Sequence, residues 1–216
     1  RIVSKIPSFS ELKLPESLGR LALLQRGLIL VTGMTGSGKS TTLASMIDYR
    51  NTQKTGHIIT IEDPIEYFHE HKKSIITQRE VGVDTESYYV AMKNALRQRP
   101  DVILVGEIRD RDVMEQALTI AETGHLCLAT LHTNNSYQAI ERIVNLFPKE
   151  MVAQVRANLA MNLRAIVSQR LVPSTKETLV PALEVLLNQG LIKELIETGQ
   201  TAKMREIMEQ NVSQGM

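Results

Sequence analysis

The chain has 216 residues, long enough to bury a substantial core, with 43% hydrophobic and 23% charged residues, an ordinary globular balance. Its 25 Lys and Arg stand against 24 Asp and Glu, which leaves no broad cationic face and disfavours translocation along nucleic acid. The single cysteine rules out an internal disulfide or a cysteine zinc site, and no apolar run approaches the ~20 residues of a membrane span. With no signal-peptide pattern and a start at Arg1, we expect a cytosolic enzyme fragment from which an upstream portion has been removed.

In chain order, residues 1–27 read as a linker with one short helix, 16–25, in which Leu18, Leu21 and Leu24 recur at helical spacing between prolines 7 and 15 and the next apolar run. Apolar runs then alternate with amphipathic ones. Strands are expected at 28–32, 57–61, 74–78, 102–105 and 125–131, and helices at 39–54, 85–99 and 110–122. This alternation predicts an α/β core, residues 28–134, built on a mainly parallel sheet covered on both faces. Residues 135–216 read as a mostly helical appendage continuing the same domain. Helices are expected at 136–146 and at 149–168, where Val152, Val155, Leu159, Leu163 and Ile166 form a stripe, and again at 191–198 and 201–211. One further strand, 179–187, carries Pro181 and belongs at a sheet edge.

The strongest motif is Gly33-Met34-Thr35-Gly36-Ser37-Gly38-Lys39-Ser40, a complete phosphate-binding loop placed between a buried strand and a helix. Glycines 33, 36 and 38 permit backbone angles that let successive N–H groups curl around phosphates, and the helix dipole points at the same anion. Thr35, Ser37 and Thr41 complete the candidate nucleotide contacts; Lys39 should reach the β- and γ-phosphates and the Ser40 hydroxyl should ligate Mg²⁺. ATP and Mg²⁺ are the expected ligands. No Asn-Lys-x-Asp motif for guanine recognition occurs.

Hydrolysis also needs a carboxylate near the metal and a group that orients water. The run 102–105 ends in Gly106-Glu107, so the first position of the usual acid pair is a glycine. A second cluster, Glu62-Asp63-Pro64-Ile65-Glu66, follows the run 58–61, and both fall where ligands bind in open α/β sheets. Glu62 is assigned as general base or water-orienting group and Glu107 as the Mg²⁺-linked acid, acting through water, with the reverse assignment and a purely structural turn as rivals. Asp63 and Glu66 are weaker candidates, and Glu66 could equally be a solvated turn residue. His132, at a strand's carboxyl end, could bond the γ-phosphate. His125 lies about 23 Å away along an extended strand and suits a structural or subunit-contact role. Residues His57, His69 and His71 read as surface or turn histidines, and Cys127 as a buried core thiol. Arg79, Arg97, Arg99, Arg109 and Arg111 are all candidates for an arginine finger.

Taken together, Ile61-Glu62-Asp63-Pro64-Ile65-Glu66 resembles the Asp box of the type II/type IV secretion ATPases. Leu104-Val105-Gly106-Glu107-Ile108-Arg109-Asp110 resembles their atypical Walker B, and the stretches Thr123-Gly124-His125 and Leu131-His132-Thr133-Asn134 their His box. Over nearly its whole length the chain is most similar to the type IV pilus retraction (twitching-motility) ATPases, closer to the accessory PilU-like branch than to the main one. One cysteine cannot form the four-cysteine zinc module typical of assembly and secretion members. The main branch carries Ala-Ile-Arg-Asn-Leu-Ile-Arg-Glu near its C-terminus; here the stretch is Leu191-Ile192-Lys193-Glu194-Leu195-Ile196-Glu197-Thr198, with both arginines replaced. The resemblance implies a RecA-like P-loop ATPase domain of a homo-hexameric ring at the cytoplasmic face of the bacterial inner membrane. It further implies a preceding PAS-like domain, a membrane platform protein as partner, a sister retraction ATPase and trans arginines from a neighbour's N-terminal domain, so the fragment alone should bind ATP and hydrolyse it poorly. The competing expectations are a regulatory nucleotide-binding adaptor with little turnover, and an assembly or secretion ATPase without its zinc module.

Overall fold

The computed structural model describes residues 5–174 and 178–210. Two short helices, α1 (Phe9–Leu12) and α2 (Glu16–Ala22), precede β1 (Gly27–Thr32), whose six residues are all buried. Then follow α3 (Lys39–Gln53), β2 (Gly56–Glu62), β3 (Ser74–Glu80), α4 (Tyr88–Ala95), β4 (Val102–Val105), α5 (Arg111–Glu122) and β5 (Leu126–Leu131). The chain continues through α6 (Ser136–Val144), α7 (Val152–Asn162), β6 (Leu163–Pro173), β7 (Leu179–Leu187), α8 (Leu191–Thr198) and α9 (Met204–Gln210). The strands form one seven-stranded sheet in the order β3-β2-β4-β5-β1-β6-β7, parallel except for β7, which pairs antiparallel with β6 at an edge.

Continuous apolar runs make strands here because both faces of the sheet are covered. Leu28 and Leu30 of β1, Ile103 and Val105 of β4, and Cys127 and Ala129 of β5 face a core shared with α4 to α9. Ile29 and Val31, Val102 and Leu104, and Leu126 and Leu128 face a second core with α2 and α3. Leu14, Leu18, Leu21 and Ala22 belong to that second core, so the segment read as a linker packs firmly on α3. Caps mark several boundaries: the Ser87, Asp110 and Asn135 side chains accept from Val90, Val113 and Gln138 N–H groups at the starts of α4, α5 and α6.

One helix expectation is corrected. The pattern at 149–168 predicts a single helix, but a 3₁₀ turn, Lys149–Met151, leads into α7, which ends at Asn162, and β6 begins at Leu163. Leu163 and Ile166 face one core and Ala165 and Val167 the other, so this stretch is apolar on two faces, as a central strand requires and an amphipathic helix does not. It also satisfies the edge of β1, pairing Ile29 with Ala165 and Thr32 with Ser168. Other boundaries move less. The helix expected at 85–99 is α4 plus a 3₁₀ turn, Leu96–Gln98, closed by Arg99 at φ 51°, and His125 precedes β5. At 201–211 a 3₁₀ turn, Thr201–Lys203, precedes α9, and Asn211 lies outside the described residues.

Candidate functional site

The loop between β1 and α3 has the geometry of an anion cradle. Gly36 and Gly38 have φ 78° and 86°, and nothing lies within 4 Å of a Cβ built on Gly36. A Cβ on Gly33 would stand 2.5 Å from Ser37 Oγ, which is buried and has no hydrogen-bond partner among the described residues. Gly38 caps α3 without a side-chain hydrogen bond, so the first-turn N–H groups of a 15-residue helix are left to a ligand. Lys39, only 8% exposed, folds back on the loop: its Nζ donates to the carbonyls of Gly33 (2.9 Å) and Met34 (3.0 Å). Burial pulls its pKa down, while Glu107 and Glu66 hold it up.

Three further strand ends place the remaining groups. Glu62 closes β2, half-buried, and its Oε1 accepts from Thr60 Oγ1 at 2.7 Å. Burial raises its pKa, opposed by hydrogen bonds from Thr60 and Gln78. Glu107 follows β4 and is held from two sides, by Arg109 Nε at 2.7 Å and by His132 Nε2 at 3.1 Å. Arg109 also reaches Asp63 Oδ2 at 3.1 Å, tying the ends of β2 and β4 together within one chain. His132 follows β5. These side chains, with Thr35, Gly36, Gly38, Lys39, Ser40 and Thr41, line one cavity of about 380 Å³. All three carboxylate and histidine candidates therefore converge on the loop; Gly33 and Ser37 lie on the neighbouring flank of the loop.

The glycine at the first position of the acid pair has a steric cause. The Gly106 N–H donates to Ile61 O at 2.7 Å, and a Cβ there would lie 3.2 Å from Glu62 Cα and 2.8 Å from the Tyr88 hydroxyl. The space a second acid would need is taken by Glu62 itself. Thr130 Oγ1 donates to the Gly106 carbonyl at 2.5 Å, and burial pushes the Tyr88 phenol up, keeping it a donor.

The oxygen donors present fit a hard cation. Ser40 Oγ lies in the cavity beside Glu107, and it donates to Glu66 Oε1 at 2.9 Å. A Mg²⁺ ion needs few protein ligands and keeps waters and phosphate oxygens for the rest. Glu66 is exposed, and its contact with Ser40 ties it to the start of α3. Tyr67, whose hydroxyl pairs with Thr41 Oγ1 at 2.8 Å, joins it in tying the β2–β3 crossover to α3. Neither contact had a sequence signal beyond the acidic cluster, since both cross from one segment to another.

The other histidines divide. His125 bonds locally to Thr123 Oγ1 (3.0 Å) and Ile120 O (3.3 Å), at the far end of β5 from His132. His57 lies between Gln98 O and Thr77 Oγ1 at 3.2 and 3.0 Å. His71 accepts from the Ile76 N–H. His69 corrects the expectation of a surface residue: it is 5% exposed, its Nδ1 has no partner among the described residues, and burial lowers its pKa to about 4. Cys127 is fully buried and its thiol is pushed up to about 12. Of the candidate arginines, Arg111 pairs with Glu115 at 3.0 Å, Arg97 and Arg99 are exposed, and Arg79 carries a buried Nε without a partner among the described residues.

A cradle for phosphates, flanked by carboxylates at the carboxyl ends of a mainly parallel sheet, defines a P-loop nucleotide-binding domain. The family model described as type II/IV secretion system protein matches residues 9–213, and the chain belongs to that family. It is 54% identical over 217 residues to the type IV pilus ATPase PilU of Pseudomonas aeruginosa, covering 100% of this chain and 57% of that protein. To the type IV pilus retraction ATPase PilT of the same organism it is 46% identical over 215 residues, covering 100% and 62%. Among solved structures, the pilus retraction motor PilT with bound ADP superposes with a TM-score of 0.94 at 50% identity, over 97% of this chain and 61% of that one. The Legionella pneumophila ATPase DotB superposes at 0.88 and 30% identity, over 99% and 59%. The fold is that of these ATPases, the higher identity to PilU agrees with the accessory branch, and the chain spans about three-fifths of the length of such relatives.

Proposed function

We propose that this chain is the ATP-binding and ATP-hydrolysing motor domain of a hexameric ring that drives type IV pilus retraction. The observation that carries the reading is the convergence of Lys39, Ser40, Glu62, Glu107 and His132 on one cavity of about 380 Å³ at the ends of four strands. The similarity to PilU and PilT supplies the biological context.

In the proposed mechanism the loop N–H groups and the start of α3 bind the phosphates. Lys39 exchanges its carbonyl contacts with Gly33 and Met34 for the β- and γ-phosphates. Thr35, Ser37 and Thr41 add hydroxyls, and Glu62, its pKa raised by burial, accepts the proton of the attacking water. His132 faces the γ-phosphate and, through its contact with Glu107, reports whether that phosphate is present. Ser40, and Glu107 through water, would hold Mg²⁺, which when bound neutralises charge on the β- and γ-phosphates. Arg109 is engaged by Glu107 and Asp63 in cis, which supports a neighbouring subunit as the source of the arginines that meet the transition state.

The ring works at the cytoplasmic face of the inner membrane on a platform protein, alongside a sister ATPase; among the described residues no helix is long and apolar enough to cross a membrane. Residues 28–134 form the ATPase core, and β6 and β7, in the same sheet, support 135–216 as its continuation. Residues 1–27 lead in from the preceding PAS-like domain. The test is ATP turnover against protein concentration, for the chain and for a protein including the preceding domain. Turnover that rises more steeply than the concentration, and only in the longer protein, supports the ring motor, with Lys39→Ala as the silent control. Binding of ATP by the longer protein without turnover at any concentration would favour the adaptor reading instead.

A further inference from the structure

The strand that the helical stripe disguised, β6, runs beside β1 and carries Gln169 past the phosphate loop. Gln169 is 3% exposed, and both ends of its amide are used. Its Nε2 donates to the Ser37 carbonyl at 2.7 Å, and its Oε1 accepts from the Thr42 hydroxyl at 2.7 Å. Ser37 forms the tip of the loop and Thr42, also buried, belongs to the first turn of α3. One planar amide therefore spans the stretch Gly38 to Thr41, which includes the start of α3 that the proposed phosphates would meet.

Two further observations give this contact weight. A Cβ on Gly33 would collide with the Gln169 carbonyl oxygen, and one on Gly38 would lie 2.8 Å from Gln169 Nε2, whereas Gly36 is open on all sides. β6 thus crowds two of the three loop glycines, both of which also hold positive φ. The loop is also flanked by two cavities of about 460 and 370 Å³, and Gln169 is the polar one of the two residues that line both. With open clefts on either flank, packing does little to hold the loop, and this pair of buried hydrogen bonds joins the Lys39 contacts in fixing it.

We propose that Gln169 is a positioning residue that sets the separation between the loop tip and the first turn of α3, and so holds the phosphate cradle open for its nucleotide. The proposal rests on the nucleotide-binding reading above. Without the amide, the Ser37 carbonyl and the Thr42 hydroxyl lose their partners, and the loop can close onto the Lys39 ammonium that already bonds to Gly33 and Met34.

The test is Mg·ADP binding by calorimetry to the wild-type chain and to Gln169→Met, Thr42→Val and the double variant, with thermal melts of each in the absence of ligand. Gln169→Met keeps length and packing and deletes both hydrogen bonds. It should weaken Mg·ADP by at least ~10-fold, a loss read separately from the fall in the ligand-free melt that two unsatisfied buried groups cause. Thr42→Val should weaken it less, and the double variant should be no worse than Gln169→Met, because Thr42 has already lost its partner. A merely structural role would lower the melt and leave affinity alone, and that result, or affinities that multiply in the double variant, would overturn the proposal. Should Gln169→Met not fold, Thr42→Val alone is read, because it breaks the bond to Gln169 Oε1 without adding a charge beside the loop. Weakened Mg·ADP binding by that variant supports the role, and wild-type affinity refutes it. If the wild-type chain itself ignores Mg·ADP, the nucleotide-binding reading falls, and this role with it.

Discussion

As the proposed general base, Glu62 would meet two opposing demands. A general base must be ionised to act, yet burial at the end of β2 favours its neutral form and raises its pKa. The Thr60 hydroxyl, donating at 2.7 Å, is the main local group that stabilises the carboxylate. Activity requiring ionised Glu62 falls as pH drops through this raised pKa. Thr60→Val therefore moves the acid limb of the pH–rate profile to higher pH while leaving the rate on the alkaline plateau nearly unchanged. A limb that stays in place would assign it to another group, Glu107 being the first alternative. At the same scale, Gly106 shows how a departure from a motif can be read physically: the missing acid of the pair is excluded by Glu62 and Tyr88.

Among the connections between parallel strands, the crossover between β2 and β3 departs from helix-after-strand order. Residues 63–73 contain no helix and are pinned to α3 by Asn51, whose side chain donates to Glu70 O and accepts from the N–H groups of Lys72 and Ser74. His69 is buried in this crossover with its pKa lowered to about 4, first by burial, with Asp48 opposing and Lys72 assisting. The unfolded chain holds a proton on this imidazole below its ordinary value near 6.5, and the folded chain does not. Stability is therefore lost as pH falls from about 6.5 towards about 4, by on the order of 3 kcal/mol. His69→Leu removes that slope, which urea melts across the pH range would read; an unchanged slope would place the acid sensitivity elsewhere. The phosphate loop, the Asp box and the strands β1 and β4 were legible because each is a local pattern with its own turn chemistry. β6 was not, because Leu163 and Ile166 continue the helical stripe of Val155 and Leu159, and only pairing with β1, far away in sequence, decides between the two. Glu66, Tyr67 and Gln169 escaped for the same reason: their partners Ser40, Thr41, Ser37 and Thr42 are brought to them by the sheet and not by the chain.

For the whole molecule, one mainly parallel sheet gathers four strand ends around a single cavity, and the chain belongs to a family whose named relatives include pilus ATPases. The central claim is that this cavity hydrolyses ATP with Glu62 as the base. It is tested most directly by ATP turnover and nucleotide affinity measured side by side for wild type and Glu62→Ala, in a protein that includes the preceding domain. The account predicts ATP affinity within a few-fold of wild type and turnover at least ~100-fold slower. Glu62→Ala turning over at the wild-type rate would contradict it and return Glu62 to the role of a residue that closes a strand.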